Sequence, residues 1–288
     1  MEYSVLMSVY EKEKSEYLRE SIESMLSQTV KPSDFVIVCD GPLPEALDAV
    51  ISQYGVREIS SADGEMRKLF QIIRLPENVG LGRALNEGLK ACKYDIVARM
   101  DSDDISLPQR CEKQLEALTG QQLDVISGAL VEFSDDIGSV GETADARGSS
   151  DGKKRALPQS QEEIMRFARR RNPFNHPCVM YRKSSVQKAG GYVHCEGFED
   201  YHLWVRMLQA GMRGANLPDV ILRMRVSGMY ERRGGLHYAG NIIRFRFYLW
   251  KTGFCSFGDF MYAVVGHVGV SLLPNRLRQL FYDKMLRR

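Results

Sequence analysis

The chain has 288 residues, 44% of them hydrophobic, with 39 basic against 37 acidic side chains and a net charge of +2. That length and apolar content suffice for one large α/β domain or a domain with an appendage, and the balanced charge points to no nucleic-acid partner. The six cysteines (39, 92, 111, 178, 195 and 255) form no C-x-x-C pair and the N-terminus shows no leader pattern, so a cytoplasmic protein with reduced thiols is expected.

The first half alternates strand and helix. Ser4–Tyr10 reads as a strand, and Ser15–Gln28 places Tyr17, Leu18, Ile22, Met25 and Leu26 at helical spacing. Phe35–Cys39 is a second apolar strand, followed by Asp40-Gly41-Pro42 and a helix over Pro44–Tyr54. Leu69–Leu75 is a third strand, Gly80–Cys92 a helix and Ile96–Met100 a fourth strand. The pattern predicts an α/β fold with a mostly parallel sheet covered on both faces. In such sheets ligands bind beyond the strand C-termini. Polar residues stand after all four strands: Tyr10-Glu11, Asp40, Asn78–Gly82 and Asp101–Asp104. After a further strand at Asp124–Phe133 the sequence is loop-like from Ser134 to about Gln159. Helical runs at Gln161–Arg169, Lys183–Ala189 and Glu199–Ala210 and a late strand at Val220–Val226 complete the pattern.

Asp101-Ser102-Asp103-Asp104 carries the most chemistry. A strand delivers three carboxylates into one tight turn, where their mutual repulsion raises their pKa values. A divalent cation removes that penalty, and Mg²⁺ shares its shell between one or two carboxylates, water and substrate phosphates. Asp and Ser are also ordinary turn formers, and Ser106 with Pro108 reads as the start of a helix reaching about Leu118. Gly80-Leu81-Gly82-Arg83 opens a helix whose amides suit an anion, with Arg83 within reach of a phosphate or simply solvated. As a dinucleotide fingerprint it is weak, because Leu85 stands where the third glycine belongs and the motif follows the third strand rather than the first. Glu199-Asp200 opens another helix, either as a favourable charge on its dipole or as a catalytic pair. His176, Cys178, His194, Cys195 and His202 match no standard zinc spacing.

Over about Ser4–Arg233 the sequence resembles the family 2 glycosyltransferases of the GT-A fold, and is most similar to the branch that builds bacterial exopolysaccharide and capsule. The landmarks stand in order: Ser8-Val9-Tyr10, Asp40-Gly41, Asn78-Val79-Gly80 with Arg83 and Asn86, Asp101-Ser102-Asp103, and Phe198-Glu199-Asp200 followed by Trp204. The resemblance implies a GT-A-type Rossmann-like sandwich over residues 1–230, with a nucleotide-sugar half at about 1–104 and an acceptor half at about 105–230. Val9, Tyr10, Glu11 and Asp40 would line the nucleotide pocket, Asp40 accepting from a uracil N–H, with Asn78, Gly80, Arg83 and Ser102 on the same nucleotide-sugar. Asp101 would lie near the ribose and the metal, and Asp103 would ligate Mn²⁺ or Mg²⁺ on the diphosphate. Asp200 would be the general base of an inverting transfer from a UDP-sugar, with Glu199 beside it at the acceptor. Cys39 stands where members often carry a second acid, and Arg225-Val226-Ser227 stands where some show a metal-ligating histidine. Arg232 and Arg233 suit a loop closing on the diphosphate or a basic surface turn. His176 and Trp204 are expected on the acceptor side, His176 in a structural hydrogen-bonding role.

Residues 231–288 read as a helical, aromatic and basic appendage. Leu277, Leu280, Phe281 and Met285 share a helical face flanked by Arg276, Arg278, Lys284, Arg287 and Arg288, either a membrane-surface helix or one docked on the domain. Phe254–Leu273 carries Asp259, His267 and three glycines and is not expected to span a bilayer. The membrane-surface reading places the chain peripherally at the inner face of the cytoplasmic membrane, acting on a growing, lipid-linked glycan. Two other readings stand beside it. A sugar nucleotidyltransferase calls for a Gly-rich basic loop after the first strand, where Glu11-Lys12-Glu13-Lys14 has no glycine. A catalytically degenerate scaffold would bind nucleotide-sugar without turning it over.

Overall fold

The computed structural model describes residues 1–60, 66–134, 152–226 and 235–271. In chain order the elements are β1 (Ser4–Val9), α1 (Ser15–Leu26), β2 (Asp34–Cys39), α2 (Glu45–Gly55), β3 (Glu58–Ser60), β4 (Met66–Lys68), β5 (Phe70–Arg74), α3 (Leu81–Ala91), β6 (Ile96–Asp101), β7 (Ile105–Ser106) and α4 (Arg110–Gly120). There follow β8 (Val125–Phe133), β9 (Lys154–Arg155), α5 (Gln161–Phe167), a 3₁₀ turn at His176–Cys178, β10 (Met180–Arg182), α6 (Lys183–Lys188), α7 (Glu199–Gln209) and β11 (Gly214–Arg225). Two helices, α8 (Gly235–Lys251) and α9 (Phe257–Ser271), close the described chain.

The main sheet runs β5-β2-β1-β6-β10-β8-β11-β7, with β9 paired to β8. Its first four strands are parallel, β10 is antiparallel to both neighbours, and β8 and β11 are parallel again. Side chains alternate across each strand, so Phe35, Ile37 and Cys39 of β2 enter one core while Val36 and Val38 enter the other. Helices α1, α2 and α4 cover the first face through Leu18, Ile22, Leu47, Ile51, Leu115 and Leu118. Helices α3, α7 and α8 cover the second through Leu85, Leu89, Leu203, Val205 and Phe245. Burial on both faces is why these strands read as near-continuous apolar runs.

The late strand is longer than the sequence suggests. It begins at Gly214 rather than Val220, with register shifts against β8 between Leu217 and Leu222. Pro218 and Asp219 sit in that irregular stretch, which breaks the alternation that marks a strand. All six cysteines are free, and five of them are buried. Among the described residues, no helix is long and apolar enough to cross a membrane.

Helix α8 stacks Phe245 on Phe198 at 4.8 Å, so one face docks behind the start of α7. Its other face leaves Ile243, Phe247 and Trp250 exposed, and α9 adds Phe257, Met261, Tyr262 and Val265 to the exposed apolar surface. Trp250 packs against Phe247, Phe257 and Phe260 at 5.5–5.8 Å. Arg232, Arg233 and the basic helical face at 276–288 lie outside the described residues.

Candidate active site

Register brings the strand ends together. Ser8 pairs with Asp101, Val9 with Cys39 and Cys39 with Arg74, so β1, β2, β5 and β6 finish along one edge. Every loop leaving that edge carries polar side chains, and their contacts with one another shape the floor of the site.

Asp40 is buried, and its two oxygens accept from the backbone amides of Val79 at 2.7 Å and Gly80 at 3.1 Å. It therefore holds the loop before α3 against the end of β2. Asn78 adds a bond to the Asp40 carbonyl. Gly41 makes this approach feasible. Its φ is +92°, and a Cβ there would stand 2.8 Å from the Asn78 nitrogen. The expected uracil contact of Asp40 thus competes with two amides already bonded to its carboxylate. Asn78 and Arg83 are exposed, as is Glu11 on the turn after β1, while Tyr10 is half-buried.

Asp101, Asp103 and Asp104 each present a carboxylate oxygen within 4.8 Å of the others. Asp101 forms a two-pronged pair with the buried guanidinium of Arg99. These residues are two apart on one strand and so share a face. Burial pushes the Asp103 carboxyl up to about 7, with the charges of Asp101 and Glu13 adding to the effect. Burial raises Asp104 well above the usual carboxylate range, and Asp101 and Asp103 raise it further. One Asp104 oxygen accepts from the Arg225 amide at 2.8 Å. The other is buried without a hydrogen-bond partner among the described residues. Three crowded carboxylates and an orphaned oxygen fit a hard divalent cation.

The turn is braced from three sides. Ser102 donates to Glu13 at 2.6 Å, and Ser21 donates to the Asp101 carbonyl at 2.6 Å. Arg225 donates to the Asp103 carbonyl and to Glu20, and its guanidinium lies 3.8 Å from the centre of the Tyr17 ring. The residue at the position of the absent histidine thus fastens the turn from behind. Glu13 and Arg99 were not singled out from sequence. The i, i+2 spacing of Arg99 and Asp101 was the available signal for the latter.

Glu199 and Asp200 open α7 in the gap beside α3. The Glu199 side chain packs where a Gly82 Cβ would lie, 3.3 Å from its Cγ. Burial raises its carboxyl pKa, and Asp200 adds to the rise. Asp200 accepts from the Asn172 side-chain amide at 2.6 Å. Asn86 of α3 bonds both main-chain groups of Tyr192, accepting from its N–H at 2.8 Å and donating to its carbonyl at 2.7 Å. The Tyr192 hydroxyl in turn meets His176 Nε2 at 3.1 Å. Burial, aided by the charge of Arg99, drives the His176 pKa well below its usual value, so the ring is neutral. Trp204, expected beside an acceptor, has no exposed surface. It packs edge-on to Phe174 and His176 in the core beneath the site, within the buried stretch of α7 that also holds Tyr201, Leu203, Val205 and Met207. Sequence reasoning missed Asn172 and Tyr192, whose partners lie 28 and 106 positions away.

The family model described as "Glycosyl transferase family 2" matches residues 4–190. The "Amylovoran biosynthesis glycosyltransferase AmsE" of Erwinia amylovora is 38% identical over 286 residues, 98% of each chain. An Escherichia coli protein named "UDP-Gal:alpha-D-GlcNAc-diphosphoundecaprenol beta-1,3-galactosyltransferase" is 33% identical across 99% of this chain and 97% of its own. Among solved structures, "S. aureus TarS 1-349 in complex with UDP-GlcNAc" superposes with a TM-score of 0.61 at 16% identity, covering 87% of this chain and 67% of that one. "Mannosyltransferase PcManGT from Pyrobaculum calidifontis in complex with GDP-Man and Mn2+" also gives 0.61, at 14% identity over 98% and 72% of the two chains. These two likenesses bear on the fold, which is of the GT-A type.

Proposed function

Since this chain belongs to glycosyl transferase family 2, we propose that it moves a sugar from a UDP-sugar to a hydroxyl of a growing, lipid-linked glycan in polysaccharide biosynthesis, with inversion at the anomeric carbon. The observation that carries the reading is the carboxylate cluster of Asp101, Asp103 and Asp104 at the flush strand ends. Asp101 and Asp103 would hold Mn²⁺ or Mg²⁺, which would supply positive charge against the diphosphate leaving group.

The chain's own residues do the rest. Val9, Tyr10, Glu11, Asn78 and Ser102 shape the nucleotide side, and Asp40 keeps the Val79–Gly80 amides in place there. The start of α3, with exposed Arg83, faces the phosphates. Asp200 accepts the acceptor hydroxyl proton as that oxygen bonds to the anomeric carbon and the nucleoside diphosphate leaves from the opposite face. Asn172, by donating to one carboxylate oxygen, fixes the orientation of the base. Glu199 sits between Asp200 and α3, where acceptor and donor sugar meet.

The E. coli relative's name cites a UDP-sugar donor and a diphosphoundecaprenol-linked acceptor, which supports the same pairing here. The exposed aromatic surface on α8 and α9 supports peripheral contact with the inner face of the cytoplasmic membrane.

Calorimetric titration with UDP, with and without Mn²⁺, tests the donor site in wild type and Asp103→Ala. Micromolar-range binding that needs both the metal and Asp103 is expected. Wild type that ignores UDP in the presence of metal overturns the assignment. A scaffold would bind UDP with metal yet show no turnover that Asp200→Asn removes.

A further inference from the structure

Immediately upstream of Asn172 the chain carries Arg166, Arg169, Arg170 and Arg171, all exposed. With α5 and α9 they wall a cleft of about 730 Å³. None of its lining residues comes from the strand ends that form the nucleotide side. Two carboxylates, Glu163 and Asp259, also line the cleft, and both are occupied. Glu163 caps α5 by bonding Ser160, and Asp259 accepts from Arg170 at 2.6 Å and from Ser256 at 2.8 Å. His267 adds no charge at neutral pH, because burial and the nearby Arg246 and Arg171 hold its pKa down at about 4. Arg166 also pairs with Glu162 at 3.6 Å. The four guanidiniums thus stand against three carboxylates, so the cleft keeps a surplus of guanidinium charge, and guanidinium forks match phosphate oxygens.

The arginine segment is fixed rather than trailing. Arg246, buried in α8, donates to the Arg170 carbonyl at 2.6 Å and to the Arg169 carbonyl at 3.5 Å. Tyr201, next to the candidate base, donates to the Ala168 carbonyl at 2.6 Å. The Arg170 guanidinium lies 4.8 Å from the centre of the Tyr262 ring, which is 67% exposed. Tyr262 in turn belongs to the uncovered surface of Trp250, Phe257, Met261 and Val265. An anion site thus adjoins an apolar aromatic face, the pattern that a lipid carrying a phosphorylated head requires. On its other side the segment runs straight into Asn172 and so to Asp200. At most about 11 Å of chain separates Arg169 from Asn172.

We propose that this cleft binds the diphosphate of a polyprenyl-diphosphate-linked acceptor, with its hydrocarbon lying on the aromatic surface of α8 and α9 and its sugar presented to Asp200. The inference rests on the glycosyl-transfer reading and names the acceptor subsite for it.

The test uses the full chain in EDTA, which keeps the carboxylate cluster from recruiting phosphate through metal. Farnesyl diphosphate, farnesol, inorganic pyrophosphate and phosphatidylglycerol vesicles are titrated into wild type, Arg169→Ala/Arg171→Ala and Arg166→Glu. Farnesyl diphosphate is expected to bind wild type at least tenfold more tightly than farnesol or pyrophosphate does. Its affinity is expected to fall at least tenfold in the double variant and also in Arg166→Glu, with UDP–Mn²⁺ binding, titrated separately without EDTA, unchanged in both. Equal affinity for farnesyl diphosphate in wild type and variants overturns the proposal, as does farnesol binding as tightly as its diphosphate. Loss of vesicle binding with farnesyl diphosphate binding retained also overturns it, and assigns the arginines to the bulk membrane. Failure of UDP to bind wild type sinks the donor reading instead and leaves the farnesyl diphosphate result to stand alone.

Discussion

The side-chain amide of Asn172 donates to the carboxylate of Asp200 at 2.6 Å. That bond fixes how the carboxylate is turned. Removing Asp200 as base, in Asp200→Asn, is expected to lower kcat by roughly 10²–10⁴-fold. Asn172→Ala deletes one hydrogen bond to a charged group, worth about 1.5–3 kcal/mol, so kcat is expected to drop roughly 10- to 100-fold. UDP affinity should stay at the wild-type value in both, which calorimetry beside steady-state kinetics will check.

Asp101 and Asp103 are expected to respond in opposite directions when their charge is removed. Asp101→Asn strips the partner from the buried Arg99 guanidinium, and breaking such a pair costs on the order of 3 kcal/mol. Asp103→Asn removes a carboxylate that burial, Asp101 and Glu13 all disfavour in its charged form. Thermal melts in EDTA at neutral pH should show Asp101→Asn below wild type and Asp103→Asn at or above it. Both variants should lose the stabilisation that Mn²⁺ with UDP gives wild type. The reverse order of melting points would contradict the account of this turn.

Gly41→Ala is expected to destabilise the chain by about 1–3 kcal/mol, because φ there is +92° and the new Cβ meets the Asn78 backbone rather than a movable side chain. The Asp40 bonds to Val79 and Gly80 depend on that approach, so UDP binding should weaken in step. Chemical denaturation and titration of the same sample check both effects. A variant with wild-type stability would contradict the close packing of these loops.

The pH dependence of stability carries a signature of His267. Its folded pKa is about 4 against an ordinary value of 6.5. Between those values the unfolded chain holds a proton on this ring that the native chain does not, so stability falls as pH drops through that window. The raised carboxyls of Asp103 and Asp104 act in the opposite sense, so the effect is read as a difference. The loss of stability between pH 7 and pH 5 should be smaller in His267→Gln than in wild type. An identical loss in the two proteins would contradict a buried, neutral ring.

Much of the fold was legible because β1, β2 and β6 are buried on both faces and their helices carry clean apolar stripes. The edge of the site was legible for the same reason, since polar residues after buried strands fall where ligands bind in such sheets. The β3–β4 hairpin and the first half of β11 were not, because short strands and a stretch broken by Pro218 carry no period to read. Within the site, the carboxylate turn announces itself by composition. Its braces do not. Glu13, Asn172 and Arg225 act through partners that only the folded chain supplies. Trp204 shows the converse, a residue marked by its motif whose side chain proves to belong to the core.

The clasp between Asn86 and Tyr192 touches only the main chain of the second residue. Such a fastening is blind to the side chain at 192 and asks only for an N–H and a carbonyl there. At the preceding position it is strict, because a Cβ on Gly191, where φ is +65°, would lie 2.7 Å from the Asn86 oxygen. A chimaera that keeps Asn86 and supplies a glycine at 191 therefore retains this attachment while the grafted segment changes around it. Two positions, Asn86 and Gly191, thus set the joint between α3 and the loop that leads to α7.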